Sequence, residues 1–564
     1  MANLIGDAVT ELDEIIKKAL GALIADGKLP AEPIPAFNIE TPADKTHGDF
    51  AANVAMASAK AFKQSPRAIA GMIAESMILT GTCFEKCEVA GPGFLNFFLN
   101  RTWYSRVVSA VLTERDAYGR SNFGNGKKVM VEFVSANPTG PMHMGNARGG
   151  ALGDCLASAL DWTGYDVTRE FYINDAGNQI EKFGKSLEAR YLQLYKGEDA
   201  VEFPEDGYHG EDITERAGEF AAIHKDSFVN ADSESRRKAL VAYALPKNVE
   251  KLKADLEKYR IHYDVWFKES TLHESGKVKA VIGLLSSKGL TYEKDGALWY
   301  KATEYGGEKD EVLVRQNGTP TYFAADIAYH YNKFAERGFE KVINVWGADH
   351  HGHVARLKGA MDAVGLDGSR LDIVLMQLVR LTKDGEVVRM SKRTGKAITL
   401  SDLIDEVPID AARFFFNLRE PNSQMEFDLG LAVEQSAQNP VYYVQYAHAR
   451  ICSIIKNLKA EGSALLPLEQ QDLSLLTAPE EIELIRHLAA LPKEIAEAAR
   501  NYDPARITRY SIDLATLFHK FYNACRVKGE EPKLMQARLS LCLAVKTVIK
   551  NVLTLLKIDS PESM

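Results

Sequence analysis

VMVEFVSANPTGPMHMGNARGGALGDCLASALDWTGYDVTREFYI, residues 129–173, decides the fold. It opens on VMVEFV (129–134), a nearly unbroken apolar run of the kind that suits a strand buried on both faces of a parallel sheet. A turn follows, SANPTGPMHMGN. ARGGALGDCLASALDWTG then reads as a helix closed by Gly164, and DVTREFYI (166–173) as the next strand. Strand, helix, strand is the building block of a doubly wound sheet, whose ligands bind beyond the carboxyl ends of its strands. KVINVW (341–346) and IVLMQLVRL (373–381) supply further strand candidates. The stretch 184–295 is richly charged and mostly helical in pattern, and reads as an insertion.

Upstream, Leu4, Ile5, Val9, Leu12, Ile15, Ile16, Leu20 and Leu23 recur at helical spacing, with Gly27 as a stop and Pro30, Pro33 and Pro35 as a linker. A second helix is expected over Phe50–Phe62 and another after Pro66. CEVAGPGFLNFFL (87–99) reads as strand material around a Gly-Pro-Gly turn. Downstream of Pro440 the helical pattern dominates, as in VYYVQYAHARICSIIKNL and ARLSLCLAVKTVIKNVLTLL. The expected architecture is multidomain α/β. A small α+β N-terminal domain (1–117) precedes a Rossmann-type doubly wound parallel domain (118–400) with the helical insertion at about 184–295. A connecting segment (401–436) leads to an all-α bundle (437–564).

The 564 residues suit three to four domains, and 46% apolar with 26% charged residues is ordinary for a globular chain. No run approaches the apolar length of a membrane helix, so a spanning protein is excluded. The start, MANLIGDAVTELDEIIKKAL, lacks the basic-then-apolar order of a secretory signal, so none is expected. The six Cys (83, 87, 155, 452, 525, 542) are scattered, which argues against a disulfide framework and for a reducing cytoplasm. The net charge of −9 argues against a protein coated in positive charge. Residues 501–557, however, carry 10 basic against 4 acidic side chains, which alone reads as a solvated helical face.

The turn at 135–150 has the make-up of a phosphate cradle. Gly140, Gly145, Gly149 and Gly150 permit close backbone approach, and Pro138 and Pro141 stiffen the loop. The following helix points its unpaired N–H groups at the mouth of the sheet, where His143 adds a donor. Alone, a tight turn with an incidental His explains these residues equally well. A second element, TKDGEVVRMSKRTGKAITL (382–400), gathers Arg389, Lys392, Arg393 and Lys396 between Gly385 and Gly395. Such a loop can close over a triphosphate and neutralise its charge. The pair is more specific than either element.

PMHMGN resembles the HIGH motif of class I aminoacyl-tRNA synthetases, and RMSK resembles their KMSK motif. EFVSANPTGPMHMGNARGGALGD, FYINDAGNQI, TYFAADIAYHYNK, VWGADHHGH, DAARFFF, NPVYYVQYAHAR, FHKFYNACRV and the N-terminal THGDFAANVAM with AGPGFLNF narrow the resemblance to arginyl-tRNA synthetase, from about residue 40 to the C-terminus. There are three departures. Asn146 stands where HIGH has its second His, Arg389 replaces the first Lys of KMSK, and the chain ends PESM where the family often has Arg before the final Met.

The resemblance implies an arginine–tRNA ligase that joins arginine to ATP as arginyl-adenylate and then to the terminal adenosine of tRNA(Arg). ATP arrives with Mg²⁺ held mostly by phosphates and water, and no tightly bound cofactor or resident metal is implied. His143, Asn146, Lys392 and Arg389 would carry the chemistry. Pro138, Gly140, His143, Gly145, Asn146, Gly347, Asp349, His353, Met390, Ser391 and Lys392 would line the ATP site, and Glu132, Ser135, Asn137, Tyr322 and Asp326 the arginine pocket. Carboxylates suit that pocket because a guanidinium offers five donors in a rigid fork. The 401–436 segment would contact the tRNA stem and the N-terminal domain its elbow. The bundle would grip the anticodon arm through Tyr442, Tyr446 and Arg450, with Tyr443 and His448 nearby. A monomer in the cytoplasm, away from membranes, is the family expectation. Asp349, His350, His351 and His353 have a spacing that a metal also accepts, which is the weaker reading. Two other functions are weighed. A silent paralogue that only binds tRNA is disfavoured by His143, Lys392, Glu132 and Asp326. A tRNA-independent adenylating ligase is disfavoured by the complete helical C-terminal region.

Overall fold

The computed structural model describes residues 2–383, 385–388, 398–463 and 465–564. Strands β1 (Lys128–Glu132), β2 (Asp166–Ile173), β3 (Val265–Lys268), β4 (Lys341–Gly347) and β5 (Leu371–Met376) form a sheet in the order β5-β4-β1-β2-β3. Every neighbouring pair is parallel. The winding reverses between β1 and β4, so the crevice that accepts ligands opens at their carboxyl ends. Both central strands read as apolar runs because both faces are covered, and Val129, Met130, Val131, Val342 and Ile343 are buried.

Helix α1 (Met144–Trp162) returns from the crevice with every residue from Ala147 to Leu160 buried, the pattern of a helix enclosed on all sides. Small residues permit this. A Cβ at Gly153 would stand 2.3 Å from the Phe133 ring, and one at Gly150 would stand 2.7 Å from Ile261 Cδ1. Helices α2 (Tyr322–Tyr331) and α3 (His351–Val364) flank β4 in sequence and share a core with it through Phe323, Ile327, Leu357 and Val342.

Three elements differ from the sequence expectation. β1 stops at Glu132 rather than residue 134, because Val134 and Ser135 turn to φ of 69° and 42°. The run 373–381 splits in two. β5 ends at Met376, the Gln377 N–H donates to Pro421 O (3.0 Å), and Val379–Lys383 joins a second sheet with Glu386–Val387 and Met425–Asp428. Phe50–Ala52 is a strand, and the helix begins only at Val54. The stretch 184–295 holds the helices Glu211–His224 and Ser233–Lys258, packed with Asn178–Lys196 around Phe183, Tyr191, Phe220 and Leu240. It also contains β3, the outer strand of the parallel sheet.

In the N-terminal region, helices Leu4–Ala25, Val54–Phe62 and Pro66–Ser76 accompany a four-stranded antiparallel sheet ordered Ile39–Glu40, Phe50–Ala52, Phe94–Leu99, Phe84–Ala90. At the other end, α4 (Ile409–Phe416) leads to α5 (Pro440–Ala460), α6 (Pro479–Asn501), α7 (Ala505–Ala524) and α8 (Pro532–Leu555). Buried polar contacts fasten these parts together. Asp49 of the N-terminal region pairs with Arg486 of α6 at 2.6 Å. Arg413 of α4, fully buried, donates to Asp154 of α1 (2.5 Å), to Leu556 O beyond α8 (3.0 Å) and to Tyr259 O (3.0 Å). Asp154 also pairs with Arg169 of β2 at 3.2 Å. All six cysteines are free thiols. No helix among the described residues is long and apolar enough to cross a membrane.

Candidate active site

The crevice begins where β1 ends. A β-branched residue in the left-handed region, like Val134, costs about 1–2 kcal/mol. The strain is held by local bonds. Ser135 Oγ donates to Glu132 Oε1 (2.9 Å) and accepts from Tyr172 N (3.1 Å), and Tyr263 Oη donates to Phe133 O (3.0 Å). The sharp turn carries the chain out of the sheet, leaving Asn137 exposed at the mouth. Pro138 O then accepts from Asn248 Nδ2 (3.0 Å), whose Oδ1 accepts from Arg216 Nε (3.1 Å). The helices of 184–295 thus hold the loop from outside. Asp212 lies over Gly140, 4.0 Å from where a Cβ would be.

His143 and Asn146 form the first turn of α1. Asn146 Oδ1 accepts from His143 N (3.0 Å) and His143 Nδ1 accepts from Gly145 N (3.1 Å), a reciprocal cap. Because Nδ1 accepts, the neutral ring carries its proton on Nε2. Much of the ring is open, yet desolvation lowers its pKa and favours that neutral form. A helix N-terminus with this imidazole N–H beside it is an arrangement suited to phosphate oxygens. Leu400 N donates to Met142 O (2.8 Å), and His143 bridges Thr399. The residues just after the RMSK loop are therefore paired with the residues just before α1. Arg389, Met390, Ser391 and Lys392 themselves lie outside the described residues.

At the end of β4, a Cβ on Gly347 would fall 2.4 Å from Asp349 Oδ1, so the missing side chain lets that carboxylate fold back. Asp349 is exposed, and the His350 and His353 rings meet edge-on at 5.5 Å. Among the described residues, no group of three or more His, Cys, Asp or Glu is placed to hold a metal ion.

The acidic side of the crevice divides into matched and unmatched charge. Glu132 is buried and matched: its Oε2 binds Lys333 Nζ at 2.5 Å. Lys333 also donates to Asn344 Oδ1 (3.2 Å), and Asn344 Nδ2 meets His330 Nε2 at 2.8 Å. Lys333 reaches inward because Asn332–Glu336 is a π-helical turn, a distortion frequent at functional sites. Beside it, Glu170 accepts from Tyr329 Oη and Arg337 NH2, both at 2.5 Å. Among the described residues, Asp326 has no ion pair, and Glu269 meets only the His273 ring at 3.4 Å. Burial first, then the charges of Glu269 and Glu132, push the Asp326 carboxyl up to about 7, against the pull of Arg356 and Lys333. Burial likewise raises Glu269, opposed by hydrogen bonds from Tyr172 and His273. Two under-neutralised carboxyls in a low-dielectric pocket form a receptor for a cation. Tyr322 stands on the same helix as Asp326, four residues earlier and exposed at the rim.

Sequence reasoning missed Glu269, Lys333, Asn344 and Glu170. Asn344 and Glu170 carried one signal, a polar residue inside a strand covered on both faces. Glu269, directly after the short strand β3, carried none.

On the helical bundle, the Tyr442 and Tyr446 rings stack at 6.4 Å, Tyr446 stacks on His519 at 6.0 Å, and Arg450 lies 4.2 Å over the Tyr522 ring. Tyr446 is 41% exposed. This aromatic and cationic ladder spans α5 and α7. His448, in contrast, is core: it is buried and its Nδ1 meets Pro561 O at 2.8 Å.

Comparisons agree over the full length. The family model for the catalytic domain of class I (R) tRNA synthetases matches residues 107–456. The model for the arginyl tRNA synthetase N terminal domain matches 10–99, and the DALR anticodon binding domain matches 444–564. The arginine–tRNA ligase of Caldanaerobacter subterraneus subsp. tengcongensis is 60% identical over 564 residues, all of both chains. That of Ruminiclostridium cellulolyticum is 57% identical with the same coverage. The solved arginyl-tRNA synthetase of Thermus thermophilus superposes with a TM-score of 0.72 at 24% identity, covering 98% of this chain and 100% of its own.

Proposed function

The chain belongs to the arginyl-tRNA synthetase family, and from that premise we propose how its residues carry out the reaction. It is an arginine–tRNA ligase: it activates L-arginine with ATP and transfers it to the 3′-terminal adenosine of tRNA(Arg), releasing pyrophosphate and AMP. In the first step the arginine carboxylate attacks the α-phosphorus and pyrophosphate leaves. In the second, a ribose hydroxyl of the terminal adenosine attacks the activated carbonyl and AMP leaves. Class I enzymes use the 2′-hydroxyl.

Little proton transfer is needed in the first step, so rate comes from positioning and charge stabilisation. The N–H groups at the start of α1, the Nε2–H of His143 and the amide of Asn146 donate to phosphate oxygens. Pro138, Gly140 and Gly145 keep that approach open, and Gly347, Asp349 and His353 take the nucleoside side. Of Arg389, Met390, Ser391 and Lys392, the two cations Lys392 and Arg389 neutralise charge on the triphosphate as the bond breaks. Mg²⁺ enters with ATP on phosphate and water and supplies further neutralisation there.

Asp326 and Glu269 bind the arginine guanidinium, with Tyr322 at the rim, and Ser135 and Asn137 line the amino-acid end. Glu132, already paired with Lys333, shapes the pocket floor. The observation that carries this reading is the pair of carboxyls that, among the described residues, has no Lys or Arg ion pair, in the crevice whose other lip is the α1 N-terminus.

Residues 118–400 do the chemistry and 437–564 hold the anticodon arm, with Tyr442, Tyr446 and Arg450 stacking on unpaired bases. Residues 401–436 contact the tRNA stem and 1–117 its elbow. Six free thiols fit a cytoplasmic enzyme, and it works as a monomer. The test is to offer a total tRNA pool and each labelled amino acid in turn. Arginine alone should be charged, and charging of another amino acid, or none, would overturn the reading.

A further inference from the structure

We propose that Arg356 is a positioning residue. It fixes Tyr322 on the arginine side and His353 on the nucleotide side in one geometry, so that each substrate meets a site already ordered by one guanidinium. The inference rests on the ligase reading and names a residue that the reading does not use.

Arg356 lies on α3, three residues after His353, so both project from one helix face. Its NH1 pairs with Glu311 Oε1 at 2.6 Å. Its NH2 donates to Tyr322 Oη at 3.1 Å and lies 2.5 and 2.9 Å from the two ring nitrogens of His353. The guanidinium carbon stands 5.9 Å from the Tyr322 ring centre and 5.1 Å from that of Phe323. One planar fork thus gathers residues from three elements. Glu311, in the strand Glu311–Val314 of a separate antiparallel sheet, anchors it from outside both substrate sides.

The need for an anchor is plain at Tyr322. It is 57% exposed, the first residue of α2, so little packing selects its rotamer. A hydrogen bond from a held guanidinium does. His353 has the complementary requirement, since a ring nitrogen can accept from Arg356 only when the imidazole is neutral. Burial, then the Arg356 charge, lowers its pKa in that direction. Lysine could not replace this arrangement, because one ammonium on a flexible stem cannot span Glu311, Tyr322 and His353 together.

The test is steady-state aminoacylation with tRNA present, measuring KM for arginine, KM for ATP and kcat in wild type, Arg356→Ala, Tyr322→Phe and the double variant. Arg356→Ala should raise both KM values roughly tenfold and lower kcat less. In the Tyr322→Phe background the hydroxyl that Arg356 holds is gone. There, Arg356→Ala should raise the arginine KM by less than about twofold while keeping its full effect on ATP. A purely structural role would give equal factors in both backgrounds. Equal factors, or unchanged KM values, would overturn the proposal. If Arg356→Ala does not fold, Glu311→Gln removes the anchor and should give the same pattern with smaller factors, and equal factors there would overturn it equally. A wild-type enzyme that fails to charge arginine overturns the ligase reading. One that charges normally, with equal factors in the variants, overturns only the role of Arg356.

Discussion

Helix α1 has clustered carboxyl side chains towards both of its ends, and the two regions are built in opposite ways. Beside its C-terminal half, Asp154 is shared between Arg413 and Arg169, and the remaining Arg413 donors end on the carbonyls of Leu556 and Tyr259. Every charge there has its partner, and the cluster joins α4, the end of the bundle and the sheet. Beyond its N-terminus, half-buried Asp326 has no ion pair among the described residues, and buried Glu269 has only the His273 ring, 3.4 Å away. A set of carboxylates left short of positive charge suits a cationic ligand, where a fully neutralised set does not. Matched charge is architecture; in the proposed function the mismatch is the arginine pocket.

The largest effect that could break this contrast belongs to the matched region. Arg413→Met removes the cation but leaves Asp154 buried, so stability should fall by about 3 kcal/mol or more. Arg169 keeps the loss towards the lower end. Denaturant midpoints measure it, and unchanged midpoints would strip the clamp of its structural meaning. Next is Lys392→Ala, whose side chain the proposed function assigns to the triphosphate. Adenylate formation should slow by roughly a hundredfold or more with little change in arginine affinity. Near-normal pyrophosphate exchange would remove that loop from the chemistry.

A smaller effect sharpens the mismatch directly. In the proposed pocket Asp326 holds the guanidinium as a carboxylate, and burial with the neighbouring carboxylates pushes its carboxyl up to about 7. Arginine binding therefore expels a proton at low pH. Affinity should be level above pH 7 and fall below it, by at most about tenfold per pH unit for one proton. Titration calorimetry at several pH values would show it, and a flat profile from pH 5.5 to 8 would contradict it. The smallest effect lies on the bundle. Tyr446→Ala should weaken tRNA binding by about 1 kcal/mol, at the low end for base stacking, because its ring is already partly covered by His519 and Tyr442. Arginine KM should not move.

The same contrast explains what could be read from the sequence. The unit at 129–173 was legible because apolar continuity, a glycine-rich turn and helical spacing are local signals. The end of β1 was not, since nothing in Val134 and Ser135 favours a left-handed backbone; the bonds that impose it come from Glu132 and Tyr172. In 373–381 the apolar pattern continued across Gln377, whose N–H is drawn to Pro421, so one run became strands of two sheets. β3 was hidden by its charged flanks. At the site, a helix opening near HMGN was legible, but the reciprocal cap of His143 and Asn146 was not, because histidine is not among the usual N-cap residues. Glu269, Lys333 and Arg356 act through partners far along the chain, which no local pattern announces.

The most direct measurement of that mismatch is kcat/KM for arginine and for citrulline, its neutral isostere, in wild type and Asp326→Asn. The substitution keeps the shape of the side chain and removes its charge. The preference for arginine should fall by at least tenfold, the scale expected when a buried pocket gives up one charge-assisted hydrogen bond. An unchanged ratio would show that Asp326 does not read the guanidinium and that the unmatched charge is not the arginine receptor.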